Sequence, residues 1–221
     1  QSGAVVSWGD ASNGGYSRAM DDQLASGVVE VFANQSAFAA LKQDGSVVTW
    51  GRDSAGGDSS AVRTELSSGV VEIVSTDSAF AALKDDGSVV SWGNPAAGGN
   101  SNLVADKLAA GVASVTANNS TFAAVLQDGS ITSWGNRFSG GRLPSAVNEA
   151  LSTGANSITA SSQAFAALGN DGSVISWGHP DTGGISSAVS EEITTDVVSL
   201  TANETAFAAL KRDGSVVSWG N

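Results

Sequence analysis

The chain carries one histidine, His179, and no cysteine. A Ser-His-Asp triad needs its histidine placed beside a nucleophile, and a multi-histidine metal site needs more than one. His179 follows Trp177-Gly178, at the place where other copies of the same stretch carry Asp10, Arg52, Asn94, Asn136 and Asn221. It therefore reads as a loop residue at a variable position. Paired carboxylates occur at Asp21-Asp22, Asp85-Asp86 and Glu191-Glu192. Glycoside hydrolysis would need two such groups held about 5–10 Å apart across a cleft. Asp86 is already accounted for by an Asp-Gly turn, and the other two pairs by the solvated side of a short helix. The Gly-Gly pairs lack the Lys-Ser/Thr of a phosphate loop and read as turns. The chemistry-bearing residues thus assemble into no catalytic, metal-binding or cofactor-binding set, and the expectation is a protein that is not an enzyme and has no cofactor.

Three short stretches carry glycosylation sequons: Asn34-Gln35-Ser36, Asn118-Asn119-Ser120 with the overlapping Asn119-Ser120-Thr121, and Asn203-Glu204-Thr205. Asn34, Asn118, Asn119 and Asn203 are the candidate modification sites. The elements that must position them emerge from internal repetition. Trp8, Trp50, Trp92, Trp134, Trp177 and Trp219 each stand before a glycine, at intervals of 42 residues with a single interval of 43. Phe38, Phe80, Phe122, Phe165 and Phe207 open five copies of Phe-Ala-Ala, and Gly-Gly recurs at Gly14, Gly56, Gly98, Gly140 and Gly183. The extra residue falls between Gly141 and Phe165, around "RLPSAV". That suits a loop, because one added residue in a strand would reverse every later side chain.

One copy reads as three strands. "VVEIVST" alternates and is β-branched, "AFAALKD" follows, and "SVVSWG" closes the unit. Asp-Gly joins the second and third strands at Asp44, Asp86, Asp128, Asp171 and Asp213, which predicts type I′ hairpin turns. The segments "SSAVRTELSSG", "SNLVADKLAAG" and "PSAVNEALSTG" read as a short capped helix, with a fourth, outer strand as the alternative. A three-stranded unit cannot bury both of its faces, so neighbouring units must cover each other and the recurring Trp and Phe fill the layers between them. The Asp-Gly turns then share one rim. The opposite rim carries the variable loops "NQS", "TDS", "NNS", "SSQ" and "NET". Asn34, Asp77, Asn118 and Asn203 on this second rim are the candidate binding residues.

The run "FAALKDDGSVVSWGNPAAGG", with "VVEIVST" before it, resembles the regulator-of-chromosome-condensation repeat family over the whole chain. Tandem copies of this short form are also similar to repeats in surface proteins of marine microbes. The resemblance implies a β-propeller: an all-β tandem-repeat protein with short helices between about five three- to four-stranded blades. Periodicity alone also permits an open solenoid-like array. The whole chain, 1–221, reads as a single repeat domain with units at about 3–44, 45–86, 87–128, 129–171 and 172–213 and a final strand 214–221. The family's Gly-Gln-Leu-Gly loop is reduced here to Gly-Gly and its characteristic histidine is missing, so its nucleotide-exchange activity is not carried over.

The net charge is −12, and charged residues make up 14% of the chain against about 25% in a typical soluble protein. That disfavours nucleic acid and anionic membrane surfaces as partners. No apolar run is long enough for a membrane-spanning helix. A chain starting at Gln1 reads as a processed product or a piece of something longer. Residues 3–9, "GAVVSWG", form a sixth copy of the third strand without its partners. These features together predict a structural or interaction scaffold of an extracellular or cell-surface assembly, joined to itself or to neighbouring repeat domains through terminal strands. The alternatives are a lectin-like propeller that binds a glycan and, behind it, a nucleotide-exchange regulator.

Overall fold

In a computed structural model, residues 3–151 and 153–221 are described; Gln1, Ser2 and Ser152, the last within the expected helix segment 144–154, lie outside them. Five antiparallel sheets follow one another, each a meander of three strands. The first contains β1 (Val28–Ala33), β2 (Ala37–Lys42) and β3 (Val47–Gly51); the second, β4 (Val70–Ser75), β5 (Ala79–Lys84) and β6 (Val89–Gly93). The third contains β7 (Val112–Ala117), β8 (Thr121–Leu126) and β9 (Ile131–Gly135). The fourth is β10 (Ala155–Ala160), β11 (Ala164–Gly169) and β12 (Val174–Gly178), and the fifth β13 (Val197–Ala202), β14 (Ala206–Lys211) and β15 (Val216–Gly220). The chain divides into two compact units, 1–110 with the first two sheets and 111–221 with the other three.

The segments that lead into each sheet are helical, not a fourth strand. They form α1 (Asp21–Leu24), α2 (Ala105–Leu108) and α3 (Ser145–Ala150), and elsewhere 3-10 turns such as Ser60–Val62 and Ser187–Val189. Leu24, Leu66, Leu108, Leu151 and Ile193 anchor each segment in the core. The side-chain N-caps expected for the three segments are absent from the 3-10 turn Ser60–Val62, α2 and α3. Asp58 and Asn100 instead accept from the backbone N–H of Ser60 and Asn102. The additional residue of the fourth repeat is absorbed in the linker after Gly141, before the sheet begins, so β10–β12 keep the same pairing as the other sheets.

A left-handed residue ends each linker: Gly27, Gly69, Gly111 and Gly154, with φ between 74° and 85°, and in the fifth repeat Asp196 with φ 65°. A side chain costs energy in that conformation. Asp196→Gly will therefore stabilise the second unit by about 1 kcal/mol, measured as a shift in the urea midpoint at constant slope. An exposed 4.0 Å ion pair with Arg212 and an exposed hydrogen bond from the Thr195 hydroxyl are lost in exchange.

Two local expectations need correction. The Asp-Gly turns are not type I′, because their Asp residues do not have positive φ; only the glycine does. Gly45 N–H donates to Lys42 C=O and Lys42 N–H to Ser46 C=O, which is a three-residue loop ending in a glycine bulge. The serine after each glycine decides this. Asp44 Oδ1 accepts from both the backbone N–H and the hydroxyl of Ser46, and the same pair of bonds recurs at Asp86, Asp128, Asp171 and Asp213. The first strand of each sheet also does not simply alternate. A bulge between Val70 and Glu72, repeated in the other four sheets, turns Val70 and Ile73 inward and leaves Val71 exposed.

Candidate functional site

Within each unit the sheets lock together through one repeated joint. Trp92 stacks on Phe80 with ring centroids 5.3 Å apart, and its Nε1–H donates to Gly56 C=O at 3.0 Å. Gly56 ends the 3-10 turn that follows the preceding sheet, with φ 99°, and a Cβ there would lie 2.7 Å from the Phe80 ring. Trp50 meets Gly14 in the same way in the first unit, as Trp177 meets Gly140 and Trp219 meets Gly183 in the second. The Gly-Gly pair is therefore the socket of the joint as well as a turn. Its second glycine has no room either, since a Cβ at Gly57 would lie 2.4 Å from the Gly51 carbonyl oxygen.

Within each unit the Phe–Trp pair of a later sheet faces the small-residue side of the sheet before it. Trp92, with Val90, packs on Ala39, Leu41 and Val47; Trp177, with Ile175, on Ala123, Val125 and Ile131; Trp219, with Val217, on Ala166, Leu168 and Val174. The expected layer of aromatics holds for Trp50, Trp92, Trp134, Trp177 and Trp219, all buried. Trp8 is the exception at 83% exposed, and Val6 is 77% exposed.

Residues 3–9 were expected to form a strand. They have no strand partner among the described residues, so no ladder forms. They nevertheless keep a third strand's register against the first sheet. Gly3 C=O accepts from Val28 N–H as Gly45 does from Val70 and Gly172 from Val197, and Val5 N–H donates to Leu24 C=O as Val174 does to Ile193. Val5 packs with Leu24, Val48 and Trp50. The opposite side of the segment, with Val6 and Trp8, is open.

The variable loops and the Trp-Gly loops do share a rim: Arg52 N–H donates to Ser36 C=O, Asn94 to Ser78, Asn136 to Ser120 and His179 to Gln163. On that rim Asn34, Asn118 and Asn203 are turn-forming residues. Asn34 Oδ1 accepts from the N–H groups of Ser36 and Ala37, and its Nδ2 donates to Ala55 C=O at 2.7 Å. Asn118 is buried and donates to Ser139 C=O, while Thr76 and Ser161 take the same role in their own repeats. A glycan on the Asn118 nitrogen would require this turn to open, whereas the side chains of Asn119 and Asn203 are exposed. Asn203 keeps only the bonds to Thr205 and Ala206 N–H. At the loop tips the backbone makes the link between sheets: Gln35 N–H donates to Asp77 C=O, Asn119 to Ser162 and Ser162 to Glu204. Asp77, the remaining rim candidate, is half-buried and holds its place through that carbonyl. The signal that sequence reading missed is the constant 21-residue offset from each capping side chain to the carbonyl it satisfies.

His179 caps the 3-10 turn Pro180–Thr182, its Nδ1 accepting from Asp181 N–H, as Asn94 and Asn136 cap theirs. The residues of the three carboxylate pairs are all exposed. A depression of about 870 Å³ lies beside the turns of the first two sheets, between Lys42, Asp44, Lys84 and Asp85. Among the described residues no cluster of His, Asp or Glu side chains could hold a metal ion. The turn carboxylates Asp44, Asp86, Asp171 and Asp213 sit below the usual range, first because of the Ser46, Ser88, Ser173 and Ser215 hydroxyls and then the N–H groups of the same serines. A depressed folded-state value stabilises above the unfolded value of 3.8 and is lost as pH falls through the folded one. The melting temperature will hence be flat from neutrality to about pH 5 and fall below about pH 4, as thermal melts across that range would record.

No known family matches the chain, and no curated protein does. Solved structures do. The ectodomain of the receptor kinase CR4 of the moss Physcomitrella patens is 18% identical with a TM-score of 0.52, over 88% of this chain and 50% of that one. Human WBSCR16 is 19% identical with a TM-score of 0.58, over 87% and 61%. Prp20p of Saccharomyces cerevisiae, the yeast RCC1, is 18% identical with a TM-score of 0.55, over 99% and 68%; its structure was described together with its binding to Gsp1p and histones. The chain thus spans about half to two thirds of the length of these structures. Five three-stranded sheets joined by short helical linkers, matched to these proteins, give the chain an RCC1-like β-propeller fold.

Proposed function

We propose that this chain is a non-enzymatic protein-interaction scaffold of an extracellular or cell-surface assembly, related to the short repeats of microbial surface proteins, and that it joins to copies of itself through residues 3–9. The observation that carries this reading is the open side of that segment. Val5 holds the segment in a third strand's register on the first sheet, while Val6 and Trp8 stand in solvent. A strand-like segment outside any ladder, with exposed apolar side chains, is a template for another chain. The protein neighbours fit a protein partner: yeast RCC1 was solved bound to Kap60, and CR4 is a receptor ectodomain. The chemistry-bearing residues support the non-enzymatic half, since His179 and the turn aspartates are engaged in capping the backbone.

Trp8→Ala tests this better than removing the segment, because loss of Val5 would uncover Leu24 and Trp50. Sedimentation velocity over a concentration series will show self-association weakened at least tenfold in Trp8→Ala, with an unchanged melting temperature. Association equal to that of the unaltered chain would overturn the reading.

A further inference from the structure

We infer that the free face of the fifth sheet, Ala208, Leu210 and Val216, is the receptor for Val6 and Trp8 of a second copy of this chain; the inference rests on the self-association proposed above and names its other half. The corresponding faces of other sheets are covered. Ala166 and Leu168 of the fourth sheet are 0% and 5% exposed beneath Val217 and Trp219 of the fifth. Ala123, Val125 and Ile131 of the third lie beneath Ile175 and Trp177, and Ala39, Leu41 and Val47 of the first beneath Val90 and Trp92. On the fifth sheet the equivalent Leu210 is 41% exposed and Val216 64%.

The repeat itself specifies what fits there. In all three covered instances the cover is a β-branched residue and a tryptophan two positions on, from one third strand. By register Val6 and Trp8 are that pair: Gly3 occupies the position of Gly45 and Gly172, and Val5 that of Val174. The pair is solvent-exposed on a segment already held in the required register. Face and pair thus extend the sheet-on-sheet interface the chain uses internally, with the two halves presented by different parts of the molecule. Such a contact is heterologous, so each copy can both give and receive.

Mixing two variants tests the assignment. Trp8→Ala keeps the receptor and loses the pair, while Leu210→Asp keeps the pair and loses the receptor. Both positions are exposed, so circular dichroism and melting should match the unaltered chain; Val6→Lys and Val216→Lys replace either variant that fails this check. The unaltered chain is expected to form concentration-dependent species larger than a dimer. Each variant alone should associate at least tenfold more weakly, and an equimolar mixture should form a one-to-one dimer with the affinity of the unaltered contact, read by sedimentation velocity with one partner fluorescently labelled. A mixture that stays monomeric overturns the inference. If Leu210→Asp associates like the unaltered chain while Trp8→Ala does not, the receptor lies elsewhere and the role of residues 3–9 survives. An unaltered chain that is monomeric at every concentration overturns both.

Discussion

Trp92→Ala will lower the stability of the first unit by about 3–5 kcal/mol, read from urea unfolding followed by circular dichroism. The substitution removes three things together: the ring stacked 5.3 Å from Phe80, the contact with the Ala39–Leu41 face, and the donor to Gly56 C=O. Phe80 and Ala82, fully buried in the intact protein, would then border a cavity into which the Gly56 carbonyl is left without its donor. The internal control is Trp8→Ala, the same change at the equivalent position of the repeat. Because Trp8 is exposed and stacks on no ring among the described residues, it should move stability by no more than about 0.5 kcal/mol. If the two substitutions cost the same, stacking of successive sheets is not what holds the protein together.

The second large effect comes from a residue with almost no side chain. Gly184→Ala will destabilise by about 3 kcal/mol or more. The new Cβ would lie 2.4 Å from the carbonyl carbon and oxygen of Gly178 and 2.7 Å from that of His179. These are backbone atoms of the turn that aims Gly183 C=O at Trp219, so they cannot move aside without breaking the joint. Gly184 does not have positive φ, so the cost is contact and not conformation. Gly214→Ala separates the two causes. It has φ 87° and open space around it, and should cost only the about 1–2 kcal/mol of a left-handed alanine. Equal losses in the two variants would refute the close-contact account.

Much of the fold was legible because the repeat states it five times. Strand order, the Asp-Gly hairpins and the burial of Trp and Phe follow from local pattern and from the need to cover two faces. What was not legible depended on atoms distant in sequence or on one backbone angle. The turn type hinged on the serine after Asp-Gly, whose hydroxyl and N–H both bind the aspartate. The first-strand bulge was hidden because Val-Val supplies an apolar residue for either parity. Asn34 and Asn118 looked like exposed recognition residues because their partners, Ala55 and Ser139, lie in the next linker. The Gly-Gly pairs were read as turns, and only the carbonyl folded against the second glycine shows that the position is full. Residues 3–9 were read as a sixth copy of the third strand; they keep its hydrogen bonds to the first sheet but form no ladder among the described residues.

The loop tips at Gln35 and Asn119 are tied to their neighbours through main-chain groups, whereas Ser162 adds its hydroxyl to its N–H on Glu204 C=O. The chemical identity of the first two is thereby uncoupled from folding: glutamine and asparagine occupy one architectural slot without altering the bond that fixes it. Selection, or an engineer, can rewrite these letters one repeat at a time and change what the surface displays while the scaffold beneath stays the same.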